Sequence, residues 1–174
     1  MPVLQSVWTE GALTFTFAPD ACASKYDEWA HYRNQFQATC GGSKAVDLVH
    51  LDKGQKTAWL IEVKDFRQHP RTKSMDLPDE IALKVRDTLA GLLSASWHAN
   101  DSTERKCARS LVRAARVRVV CHLEQPAKAS RLRPRAIEPD KLILKLRTLI
   151  KAIDPHPLVV DCNTLHDSMT WHVA

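Results

Sequence analysis

Asp47, Glu62 and Lys64 are the residues of this chain whose types and spacing are best suited to chemistry. Two carboxylates and an amine gathered at one point suit a divalent cation. Hard oxygen ligands hold Mg²⁺ or Mn²⁺, with water and a phosphate group completing the shell. An amine beside such an ion can hold an attacking water or stabilise charge growing on the phosphate.

The elements around them make that convergence plausible. Residues 45–52 and 57–65 read as β-strands, joined by the four-residue hairpin loop Lys53-Gly54-Gln55-Lys56. If the loop closes symmetrically, Asp47 stands opposite Glu62. Glu62 and Lys64 then share a face, because strand side chains alternate. Val49, Leu51, Ala58 and Leu60 fill the rest of that face, so charge ends an apolar stripe. Like charges opposed across a ladder destabilise it, and burying unpaired charge costs several kcal/mol. A cation between the carboxylates resolves both penalties. The competing explanation is a plain Glu62–Lys64 or Asp47–Lys64 salt bridge at the sheet end.

Asp47, followed after fourteen residues by Glu62-Val63-Lys64 on the next strand, resembles the signature of the PD-(D/E)XK, restriction-endonuclease-like nuclease superfamily. Val46 stands where the motif has proline. The resemblance implies an α/β sandwich with a mixed central sheet flanked by helices. It implies a Mg²⁺- or Mn²⁺-dependent nuclease acting on DNA foremost. Asp47 and Glu62 would bind the metal, with the Val63 carbonyl as a further ligand, and Lys64 would be the catalytic lysine. An additional acid from the first helix falls on Glu28, with Asp27 second. A polar residue of the long helix near the metal falls on Lys84. A catalytically silent nuclease-fold module and a metal hydrolase of nucleotides or RNA are the other readings.

The remaining elements follow from periodicity and caps. Residues 13–17 alternate as a strand, and 24–38 read as a helix capped by Ser24. A long helix runs from Asp76, its cap, to about His98, with Pro78, Asp79 and Glu80 in its first turn. Lys84 and Asp87 share one of its faces as an i,i+3 pair, and Gly91 allows close packing. A short basic helix over 102–113, a strand over 115–123, an amphipathic helix over 139–153 and short strands at 157–161 and 170–173 complete the order. A chain of 174 residues suits one compact domain.

The net charge of +5 is concentrated. Residues 101–135 hold ten Lys/Arg and only three acids, which suits a polyanion, although a solvated helix face explains it equally well. Lys84, Arg71, Lys73, Arg105, Arg109 and Arg113 are the candidates for nucleic-acid contact, and a homodimer would suit a two-strand substrate. The five cysteines are odd in number, widely spaced and lack a CxxC pair, which predicts free thiols in a reducing cytoplasm. Zinc ligation by His156, Asp161, Cys162, His166 or His172 fits no standard spacing. No run of about 20 apolar residues exists to cross a membrane, and no N-terminal signal peptide is recognisable.

Overall fold

A computed structural model describes residues 6–18, 22–126 and 137–174. The expected basic loop at 125–139 falls largely outside them. Two sheets and a helical layer stack on one another. The smaller sheet has strand order β1 (Ser6–Glu10), β2 (Leu13–Phe17), β8 (Trp171–Val173), all antiparallel. The larger has order β3 (Cys22–Lys25), β4 (Leu48–Asp52), β5 (Thr57–Asp65), β6 (Arg116–Glu124), β7 (Leu158–Val160). It is mixed: β3–β4–β5 pair antiparallel, and β5–β6–β7 pair parallel. The parallel pairs need long crossovers. Helices α1 (Leu77–His98) and α2 (Ser102–Val112) supply the first, and α3 (Pro139–Ile150) belongs to the second.

Each face of the larger sheet is covered, so its central strands are buried on both sides. One core lies between this sheet and the helices and includes Val49, Leu60, Val85, Leu92, Val119, Cys121 and Leu146. The other lies between the two sheets and includes Phe15, Phe17, Leu48, Trp59, Ile61, Val120 and Trp171. Among the described residues the fold is thus a mixed α/β arrangement with helices on one face of the larger sheet and the small sheet on the other.

The hairpin register is the one the loop length demands. Leu48 pairs with Ile61 and Asp52 with Thr57, and the loop is fastened by Gln55 N–H donating to Asp52 Oδ1 at 2.9 Å. In the β1–β2 turn, Gly11 has φ +59°, a conformation that glycine adopts without steric cost.

Four sequence expectations need correction. The helix expected over 24–38 is instead strand β3 followed by short 3₁₀ and π turns at Tyr26–Glu28 and Tyr32–Phe36. Ser24 is no cap: its hydroxyl accepts from Trp29 Nε1 at 2.7 Å. The Asp76 side chain does not cap α1 either, because Lys145 of α3 draws it away at 2.8 Å and takes Asp79 at 2.7 Å. Finally, Cys22 and Cys107 form a disulfide that ties β3 to α2, their Cα atoms 6.0 Å apart. Cys40, Cys121 and Cys162 are free.

Candidate functional site

The end of the β4–β5 hairpin meets α1 in a buried ionic cluster. Asp47 immediately precedes β4, and two contacts from α1 fix the backbone leading to it. Thr88 Oγ1 accepts from Val46 N–H at 3.0 Å, and Asp87 Oδ2 accepts from Lys44 N–H at 2.9 Å. Asp87 therefore steadies the chain before Asp47 rather than the Lys84 side chain. Asp47 spans the hairpin with one oxygen, Oδ2 accepting from Val63 N–H at 2.7 Å. Val63 thus enters the site through its amide.

Glu62 is fully buried, and its Oε1 receives two ammonium groups: Lys64 Nζ at 2.5 Å and Lys84 Nζ at 2.6 Å. Lys84 Nζ also reaches Asp47 Oδ1 at 3.4 Å. Asp47, Glu62, Lys64 and Lys84 therefore converge, and Lys84 is an inward-facing partner rather than an exposed one. Glu62 Oε2 is buried without a hydrogen-bond partner among the described residues.

A third acid extends the cluster. Glu80, one turn before Lys84 on α1, is 1% exposed. It accepts from Lys73 at 2.6 Å, forms an ion pair with Arg71 at 2.7 Å, and stands 3.7 Å from Lys64. Sequence reasoning read it only as a helix-start charge. Arg71 and Lys73 lie in the loop between β5 and α1, folded back over this carboxylate.

The electrostatics follow from burial. Desolvation, and then Asp47, push the Glu62 carboxyl up to about 7 against the pull of Lys64 and Lys84. Burial lowers the Lys84 ammonium, but Glu62 and Asp47 outweigh it and hold the group above its ordinary value. Glu80 is raised by burial yet ends at about 2, because Lys73 and Arg71 hydrogen-bond its charged form. Three acids and four bases share the cluster, so its formal balance is one positive charge.

An open polar cleft of about 660 Å³ leads to Asp47 and Lys84 and is also lined by Asp27, Tyr32, Arg33 and Lys44. Asp27 is raised to about 6 by burial, then by Asp47, and its Oδ1 is buried without a hydrogen-bond partner among the described residues. The first-choice extra acid, Glu28, lies elsewhere, paired with Lys25 at 3.1 Å. The basic helix is remote as well. Arg109 Nε donates to Ser96 O at 2.8 Å, twelve residues beyond Lys84 on α1, or about 18 Å along the helix. Arg113 follows α2 near the start of β6, which pairs with the start of β5, away from Glu62 and Lys64. Arg105 lies on the same helix as Arg109.

The chain is similar to a cysteine–tRNA ligase. The relative is that of Neisseria meningitidis serogroup A, 35% identical over 157 residues, with 72% of this chain and 22% of the relative covered. The chain thus spans about one-fifth of the relative's length. No family model matches the chain, and no solved structure does.

This similarity corrects the functional expectation. The membership of the PD-(D/E)XK superfamily, the nuclease activity and the hydrolase class are all overturned by a relative that is a ligase. DNA as the partner and a two-fold pair of subunits have no support from it. The motif misled because three residue types in a short hairpin arise in unrelated contexts. No helix among the described residues is long and apolar enough to cross a membrane.

Proposed function

We propose that this chain is a tRNA-directed module allied to one segment of a cysteine–tRNA ligase. In this reading the cleft at Asp47 and Lys84, with Glu62 buried behind them, takes an RNA phosphate together with a divalent cation. The observation that carries it is the 35% identity spread over 72% of the chain. The match covers 22% of the relative, so the reading concerns that segment alone.

The residues of the cleft fit a Mg²⁺ or Mn²⁺ ion on one condition. Glu62 Oε2 is buried without a hydrogen-bond partner among the described residues, and Asp47 Oδ1 meets Lys84 at 3.4 Å. The Lys84 ammonium bridges the two acids, so Asp47 and Glu62 would hold an ion with that ammonium turned away from them. The ion would neutralise phosphate charge, and the released lysine would pair with a phosphate oxygen. Lys64 and the Glu80 clasp keep Glu62 in position throughout. Arg33 and Lys44 at the cleft rim offer further phosphate contacts.

Binding to a cysteine tRNA transcript, an unrelated tRNA and a DNA duplex of equal length tests this reading. Tighter binding of tRNA than of duplex is expected, strengthened by Mg²⁺ and weakened by monovalent salt. Glu62→Gln should remove the Mg²⁺ effect and leave the salt dependence. Equal affinity for the duplex, or no binding to any tRNA, overturns it.

A further inference from the structure

The larger sheet carries a second polar constellation on its opposite face. Glu62 pairs in register with Cys121, and both point toward the helices. His122 and Glu124 are their alternating neighbours, so they point toward the small sheet, where the His122 ring meets Phe15 edge-on at 5.3 Å. His122 Nε2 lies 3.0 Å from Glu124 Oε1. Cys162 joins them from the turn after β7. Val160 pairs with His122, and two residues later Cys162 reaches the level of Glu124. Its Sγ stands 3.8 Å from His122 Nε2, and its N–H donates to Glu124 Oε1 at 2.8 Å. All three ligand atoms lie within 4.8 Å of one another.

We propose that His122, Glu124 and Cys162 form a Zn²⁺ site, with the fourth position taken by water. The donor set decides the metal. Imidazole nitrogen, thiolate sulfur and one carboxylate suit zinc, whereas Mg²⁺ prefers oxygen alone. The spacing agrees as well. Bonds of about 2.0–2.3 Å at tetrahedral angles separate ligand atoms by roughly 3.3–3.8 Å. The His122–Glu124 and His122–Cys162 separations of 3.0 and 3.8 Å bracket that range and the third lies within 4.8 Å, so side-chain rotations suffice.

The site is preorganised and accessible. His122 and Glu124 are buried on a central strand. The Cys162 turn is pinned by Asp161, whose N–H donates to Thr164 Oγ1 at 2.9 Å and whose Oδ1 accepts from Asn163 N–H at 2.8 Å. Cys162 is half-buried, which leaves an entry path and room for water. On coordination its thiol proton passes to solvent. The ion would fasten the end of β6 to the turn from which the chain runs on to β8. This inference is independent of the tRNA reading, because the two sites occupy different faces of the sheet.

Titration of the metal-free protein with Co²⁺, its Cys22–Cys107 disulfide intact, tests the site. One equivalent should give a thiolate-to-cobalt charge-transfer band in the near ultraviolet, and Zn²⁺ should abolish it where Mg²⁺ does not. Cys162→Ser, at a half-buried position that tolerates the change, should lose the band. It should also bind Zn²⁺ more weakly by at least the roughly 10–100-fold that loss of a supporting partner costs. His122→Gln should weaken binding as well, and Cys40→Ser should change nothing. The absence of the band, its persistence in Cys162→Ser or its loss in Cys40→Ser overturns the proposal.

Discussion

Lys84 Nζ stands 2.6 Å from Glu62 Oε1 and 3.4 Å from Asp47 Oδ1, where it supplies the positive charge that the two acids need. Lys84→Ala removes that charge and leaves Glu62 with Lys64 alone. Breaking a buried pair in this way costs roughly 3–5 kcal/mol. The variant should therefore unfold at lower denaturant than wild type. Divalent ions should then act more strongly on the variant, because the acids no longer have a built-in cation. Urea unfolding of both proteins with and without Mg²⁺ measures this directly. An equal Mg²⁺ response in the two proteins would remove the cation from the proposed site.

Gly91 of α1 packs against the segment between β3 and β4. A Cβ there would lie 2.0 Å from the Tyr26 hydroxyl and 3.1 Å from Phe36. Alanine gains about 1 kcal/mol of helix propensity over glycine, but overpacking costs about 1–3 kcal/mol. Tyr26 is fully buried against Trp29 and Tyr32 and has little room to yield. Gly91→Ala should thus destabilise the fold, and adding Tyr26→Phe should recover most of the loss. A stabilised Gly91→Ala, seen as a raised denaturation midpoint, would contradict the packing described.

The parts that were legible in the sequence are those whose signals are local. The β4–β5 register followed from a four-residue loop, and α1 from its Asp-Leu-Pro-Asp-Glu start and apolar spacing. The convergence of Asp47, Glu62 and Lys64 came with that register. The parts that were hidden depend on tertiary packing. Cys22–Lys25 has four half-buried residues and no alternation, and the aromatic spacing after it imitates a helix. Glu80 looks like an ordinary helix-start acid until Arg71 and Lys73 fold back over it. His122 and Cys162 are 40 residues apart, and only the β6–β7 pairing brings them together. The function went astray for a different reason: a short motif carries little information beside 157 aligned residues.

The Cys22–Cys107 disulfide closes a segment of 85 residues that contains β4, β5 and α1. Cross-linking a loop of that size restricts the unfolded chain and is worth roughly 2–4 kcal/mol. Reduction, or the Cys22→Ser/Cys107→Ser pair of substitutions, should lower stability by that amount. Non-reducing peptide mapping should recover residues 22 and 107 on one linked species. Unchanged unfolding under reductant would show that the bridge adds nothing to the fold.

His50 supplies the acid sensitivity that can be isolated most cleanly. It is buried between Phe17 and Trp171 and bonded to Thr170 Oγ1 at 3.0 Å. Burial lowers its pKa from 6.5 to about 4, so the folded protein holds it neutral where the unfolded chain protonates it. The unfolded state binds more protons between those values, so this residue's contribution is complete above about pH 6.5. It falls as the pH drops toward 4 and levels off below. A shift of this size corresponds to about 3 kcal/mol. The raised carboxyls of Glu62 and Asp27 act in the opposite direction over the same range, which makes wild type alone a poor witness. The difference between wild type and His50→Gln cancels them. His50→Gln should be the less stable protein near pH 7, where it lacks the ring packing, and the gap should narrow by up to about 3 kcal/mol near pH 4. Urea unfolding of the two proteins across that range decides the matter, and a gap that stays constant would mean that His50 is not held neutral by its burial.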